Sequence, residues 1–204
     1  GTFAADLLYF AGEDAPQMPV NREALKPAPP PGYDYDFANR EILMRLKVKD
    51  GRLVLPSGVS YRVLVLPPAE HMRLDVLKKV ADLVADGAVV FGPKPTRTPG
   101  LEGGAEAERE LRRLANGLWT GAETSPASSG SQRVHAGDSL EPLLKAMALP
   151  PDVEFIGGSL QEPTQYPGTG MEFIHRRTDE ADLYLVSNQH LQPKTLDAVF
   201  RVSG

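Results

Sequence analysis

The sequence predicts an α/β fold, a parallel sheet flanked by helices and followed by a short antiparallel β segment. Three observations predict it. YRVLVLPPAEHMRLDVLKKVADLVADGAVVFGPKP, residues 61–95, sets an apolar run, an amphipathic stretch and a second apolar run in series. LLYF at 7–10 is a further buried-strand pattern closed by Gly12. After Pro150-Pro151, the residues alternate or cluster as in strands joined by polar turns.

The elements follow in chain order. A strand over Asp6–Phe10 leads into a long loop from Glu13 to Tyr35, rich in proline around Pro27–Gly32. Loops of that length in compact domains are usually functional or interface-forming. Asp36 reads as the N-cap of a helix with Phe37, Leu43, Met44 and Leu46 on one face. Asp50-Gly51, between two short apolar stretches, signals a hairpin. Val63–Leu66 is apolar throughout, as befits a strand covered on both faces. Leu74, Leu77, Val80, Ala81 and Val84 recur at helical spacing, and Gly87 ends the helix. Ala88–Phe91 is the next strand, completing a right-handed parallel βαβ unit.

Leu111, Leu114, Ala115 and Leu118 stripe a helix over 105–119, and Arg133–Ala136 is a short strand. Asp138 and Glu141 resemble a capping box opening a helix through Met147. Met171–Arg177, Ala181–Asn188 and Thr195–Val202 then predict an antiparallel meander. We divide the chain into an α/β domain over 1–150 and a β segment over 151–204, packed on that domain or opening a further β-domain. No repeat recurs along the chain.

Composition narrows the function classes. A net charge of −5 over 204 residues opposes nucleic-acid binding, which needs a basic face. No apolar stretch approaches the ~20 residues that cross a bilayer. The absence of cysteine removes disulfides, thiolate zinc sites and thiol nucleophiles. The chain opens on Gly1 with no signal-peptide pattern, which reads as a processed chain or one excised from a longer polypeptide.

Candidate site residues fall in three places. Glu13 and Asp14 follow the first strand, where ligands of α/β sheets gather. Sequence neighbours point apart and rarely form the carboxyl pair of a glycosidase. They are either a solvated turn or a ligand or interface contact. Tyr33-Asp34-Tyr35-Asp36 alternates aromatic rings and carboxylates, a mixture that suits sugars and equally suits loop packing. His175 and Arg177 share one side of a strand, which is either an anion site or a polar strand face. His71, His135 and His190 show no metal spacing, Gly168-Thr169-Gly170 precedes a strand rather than a helix, and Ser57-Gly58 and Ser129-Gly130 lack a nucleophile elbow. No complete catalytic set is visible, so we assign no catalytic or metal-ligating residue.

The 61–95 stretch resembles the flavodoxin-like, class I glutamine-amidotransferase-like domain that follows the barrel in several glycoside hydrolases. That class uses a cysteine nucleophile, which this chain lacks. More narrowly, LYFAGEDAP, GYDYDFANREIL, LPSGVSYRVLVLP, FGPKPTRTPGL and FIHRRTDEADLYLVSNQ, in that order, resemble glycoside hydrolase family 106, the α-L-rhamnosidase-type enzymes.

The resemblance implies a large, secreted or periplasmic bacterial parent whose catalytic carboxylates lie in an upstream (β/α)8 barrel, with calcium near the sugar. It implies no cofactor in this chain, the barrel of the same polypeptide as partner, and rhamnose-containing glycans as possible ligands. The chain then reads as a non-catalytic accessory domain. A stand-alone carbohydrate- or protein-binding module is the alternative.

Overall fold

The computed structural model describes residues 1–13, 21–100, 104–120, 132–156, 170–189 and 192–202. Its elements begin with β1 (Thr2–Phe3), β2 (Leu7–Phe10), a 3-10 turn (Arg22–Ala24), β3 (Tyr35–Ala38) and α1 (Arg40–Arg45). Next come β4 (Lys47–Lys49), β5 (Arg52–Val54), β6 (Ser60–Tyr61), β7 (Val63–Val65), α2 (Leu74–Ala85) and β8 (Val89–Phe91). The remainder are α3 (Gly104–Leu118), β9 (Val134–His135), α4 (Glu141–Ala146), β10 (Val153–Ile156), β11 (Met171–Arg177), β12 (Asp182–Asn188) and β13 (Asp197–Phe200).

The centre is a parallel sheet of five strands in the order β3-β2-β7-β8-β9. Numbered along the chain, that is the 2-1-3-4-5 order of flavodoxin-like folds, whose direction switches between its first and third strands. Strand periodicity divides the core in two. Leu8, Phe10, Leu64 and Val90 face α1, α2 and α3, where Leu43, Val76, Leu77, Val80, Leu83, Leu111 and Ala115 are buried. Leu7, Tyr9, Val63, Val65 and Phe91 face α4 and the long loop, whose Leu25 and Tyr33 complete that layer.

The described part of the loop, 21–34, therefore covers the sheet beside β2 and β3 as a packing helix would. Arg22 fastens it, donating from Nη2 to the carbonyls of Pro30 (2.7 Å) and Tyr33 (2.8 Å). Tyr9 adds a hydroxyl bond to the Pro27 carbonyl at 2.8 Å.

The expected βαβ unit is present as β7, α2 and β8, and Gly87 sits at φ +103° beyond the helix. The Asp50-Gly51 hairpin is present too, with both residues at positive φ (52° and 70°) as a type I′ turn requires. A third strand, β6, extends that hairpin into a small sheet.

Three expectations need correction. Asp36 is not an N-cap; it lies inside strand β3, where its carboxylate accepts from Phe37 N (2.7 Å) and the Tyr61 hydroxyl (2.7 Å). Asn39 caps α1 instead, accepting from Ile42 N at 2.9 Å. Asp138 and Glu141 form no capping box, because the residue before α4 is Leu140 and the nearest side-chain contact is Ser139 Oγ to Glu141 N. The meander is also wrong: β11 and β12 pair as a hairpin, with β1 on the far edge of β11, but β13 pairs with β10. That pairing sets Phe200 opposite the buried Val153 and against the Tyr184 ring (4.7 Å), cross-strand contacts that no local pattern announces.

Candidate functional site

The candidate residues separate to opposite ends of the parallel sheet. Glu13 follows β2 and lies at the C-terminal edge, beside the switch point. Its Oε2 accepts from Arg73 N at 2.6 Å, the residue before α2, which has no side-chain cap of its own. An anion there satisfies an orphan amide and meets the positive end of the helix dipole. Burial holds the Glu13 carboxyl above its usual range, opposed by the Arg73 amide and charge. Glu13 is thus a cap supplied from another loop. Asp14 lies outside the described residues.

The other candidates gather at the N-terminal edge. Asp34 immediately precedes β3, Asp6 precedes β2 and Arg62 precedes β7. Tyr33 is buried and donates to the Leu149 carbonyl at 2.6 Å. Asp34 accepts from Tyr35 N at 2.8 Å, and burial pushes its pKa up to about 6 against the pull of Arg22. The rings that follow pack on one another. Tyr35 lies edge-on to Tyr9 and Phe37, each at 5.5 Å, and the Arg22 guanidinium sits over Tyr35 at 5.6 Å.

His175 is the centre of a polar network. It is 2% exposed, so this polar side of the strand is buried at His175, while Arg177 on the same side stays half exposed. Nδ1 lies 2.8 Å from Asp152 Oδ2, and Nε2 lies 2.8 Å from Asp182 Oδ1. Each ring nitrogen thus has a carboxylate oxygen of the chain itself within hydrogen-bond distance. The ring stacks on Tyr184 at 4.1 Å, and the Tyr184 hydroxyl donates to Asp152 Oδ1 at 3.0 Å.

Arg177 does share the His175 side, and its Nε donates to the same Asp182 oxygen at 2.7 Å. The carboxylate that these two residues hold is the chain's own. Arg177 first, and then His175, keep Asp182 below the usual carboxylate range. Arg201 closes the network, bonding Asp6 Oδ2 at 2.5 Å and the Pro150 carbonyl at 2.6 Å.

Asp6, Asp152, Asp182, Tyr184 and Arg201 escaped sequence reasoning. Two of them had a readable signal. A hairpin turning at Thr178–Ala181 puts Asp182 opposite Arg177 and Tyr184 opposite His175. Asp6, Asp152 and Arg201 meet only through the tertiary fold. His135, at the end of β9, is buried beside the Gln132 carbonyl (3.2 Å), and burial pushes its pKa down. Among the described residues, no group of three or more His, Asp or Glu is arranged to hold a metal ion. Nor is any described helix long and apolar enough to cross a membrane.

Comparison with known proteins places this architecture. A protein of Formosa agariphila named "Putative beta-glucuronidase" is 32% identical over all 204 residues. The solved rhamnosidase from Novosphingobium sp. PP1Y shares 33% identity over 98% of the chain, with a TM-score of 0.80. The chain spans only 16% of the first protein's length and 18% of the second's. The match therefore covers one part of a much longer polypeptide in each. The model of glycoside hydrolase family 106, α-L-rhamnosidase, matches residues 1–204, and the chain belongs to that family.

Proposed function

We propose that the chain is a non-catalytic accessory domain of a rhamnosidase-type glycoside hydrolase, docked on the catalytic barrel of the same polypeptide. The observation that carries this is the outward face of the β11–β12 hairpin. Ile174, Leu183 and Leu185 lie on that face with 46%, 53% and 68% of their surface exposed. Ile174 stands directly opposite Leu185, and Leu183 is the next residue on the same side. Apolar patches rimmed by charge mark protein contacts. The rim here is Arg176, across from Leu183, and Glu172.

The reading extends to rhamnose-containing glycans as substrate, calcium outside this chain and a periplasmic or extracellular setting, all on the strength of the family resemblance. The test compares the isolated chain with the full-length enzyme. The chain alone is expected to leave aryl rhamnosides intact. Leu183→Asp with Leu185→Asp is expected to lower the melting temperature of the full enzyme while leaving that of the isolated chain unchanged. Turnover by the chain, or an unaffected full enzyme, overturns the proposal.

A further inference from the structure

A cleft of ≈ 320 Å³ opens at the N-terminal edge of the sheet, between the starts of β2 and β7 and the inward face of β11. Its lining is mainly polar and unusually cationic: Arg52, Arg62, Arg177 and Arg201 all reach it. The carboxylates available to them are Asp6 and Asp152 in the wall and Asp182 behind Arg177. Four guanidiniums thus face three carboxylates.

The cations are not equally engaged. Arg201 is spent on Asp6 and on the Pro150 carbonyl. Arg52 is turned onto Ser60, through Oγ at 2.9 Å and the carbonyl at 3.2 Å. Arg177 contributes only its Nε to Asp182 among the described contacts, leaving the end of its fork. The Arg62 side chain makes no ion pair and no hydrogen bond among the described residues. The crowding is felt at Arg52, which is held below its ordinary pKa, first by burial and then by Arg62, Arg177 and Arg201.

An unfilled positive balance in a concave, partly desolvated place favours an anion. Three carboxylates nearby disfavour a dianion such as phosphate, whereas one negative charge matches the excess. The planar guanidinium fork pairs two-pronged with a carboxylate. The aspartates offer acceptors for hydroxyl groups on the same ligand. The volume lies at the small end of ligand pockets, roughly 300–1,000 Å³, and so suits a single sugar-sized molecule.

We infer that this cleft binds a small hydroxylated monocarboxylate of the hexuronic acid class, with the carboxylate on Arg62 and Arg177. The site belongs to this chain alone, so its test is separate from docking on a barrel.

Calorimetric titration of the 204-residue chain at fixed ionic strength decides it, with sodium D-glucuronate, D-glucose and inorganic phosphate as probes. Glucuronate is expected to bind saturably with a Kd on the order of 1 mM, a weak but measurable affinity. Glucose and phosphate are expected to bind at least tenfold more weakly. Arg62→Ala is expected to weaken glucuronate at least tenfold. Arg113→Ala, which only breaks a surface pair with Glu110 on α3, is expected to leave it unchanged. Because Arg62 is exposed, its variant keeps the fold, which circular dichroism checks. Glucuronate binding no tighter than glucose, phosphate binding as tight as glucuronate, or an Arg62→Ala variant with unchanged affinity each overturns the inference.

Discussion

Arg201 and Asp6 lie 195 residues apart in sequence and meet in an ion pair of 2.5 Å beneath the first strand of the parallel sheet. The Asp6 side chain is almost wholly enclosed, and Arg201 also approaches Asp152 Oδ1 at 3.5 Å. One guanidinium therefore serves two buried carboxylates from two different layers.

Removing that guanidinium strands Asp6, whereas Asp152 keeps its contacts with His175 and Tyr184. Arg201→Met keeps the aliphatic stem but leaves Asp6 without its cation, and breaking a buried pair this way costs about 3 kcal/mol. Urea denaturation at neutral pH checks it. Asp6→Asn with Arg201→Met is expected to recover part of the loss, because the double variant leaves no unpaired charge at position 6.

Asp34 makes a prediction in pH. Its pKa rises from an ordinary 3.8 to about 6, mainly through burial. Between those values the folded chain binds more protons than the unfolded chain, so stability falls as pH rises through this window. The loss is complete above about pH 6. Asp34→Asn keeps an acceptor for Tyr35 N and has no charge to desolvate. Denaturation curves are expected to show the variant matching the unaltered chain near pH 4 and exceeding it at pH 7. Asp182 contributes the opposite slope at lower pH. Its depressed pKa gives stability that is fully present above the ordinary carboxylate value and lost as pH falls through the folded one. Measurements should therefore stay at or above pH 4.

Gly32 joins the long loop to β10. It sits at φ +78°, and a Cβ there would stand 2.1 Å from the Val153 carbonyl oxygen. Its own carbonyl accepts from Asp152 N (2.8 Å) and Val153 N (3.2 Å). Gly32→Ala combines backbone strain with a clash against main chain, a cost of more than about 3 kcal/mol. Thermal unfolding measures it. Gly51→Ala, at a positive φ with open space around it, is expected to lose only about 1 kcal/mol.

The contrast between legible and hidden parts has a physical cause. The β7–α2–β8 unit was readable because burial on both strand faces and a 3.6-residue stripe are local signals. The Asp50-Gly51 turn was readable for the same reason. At 36–39 two good cap residues compete, and Asp36 takes the strand because its neighbours Tyr35 and Phe37 stack with Tyr9. Nothing local tells a third β segment to pair with β10 rather than β12. The position of Glu13 at a strand end was legible. Its role was not, since its partner Arg73 lies 60 residues on. His175 could be placed on a strand side with Arg177, but its burial depends on Asp152, which only the folded chain brings there.

The β11–β12 hairpin presents unlike chemistry on its two sides. His175, Arg177, Asp182 and Tyr184 turn inward, while Ile174, Leu183 and Leu185 turn outward. Because strand side chains alternate, one residue inserted in β11 ahead of His175 would exchange the sides at a stroke. Imidazole and guanidinium would face outward, and aliphatic groups would meet the buried aspartates. The length of this ribbon is therefore held under a stricter constraint than the identity of any one of its side chains.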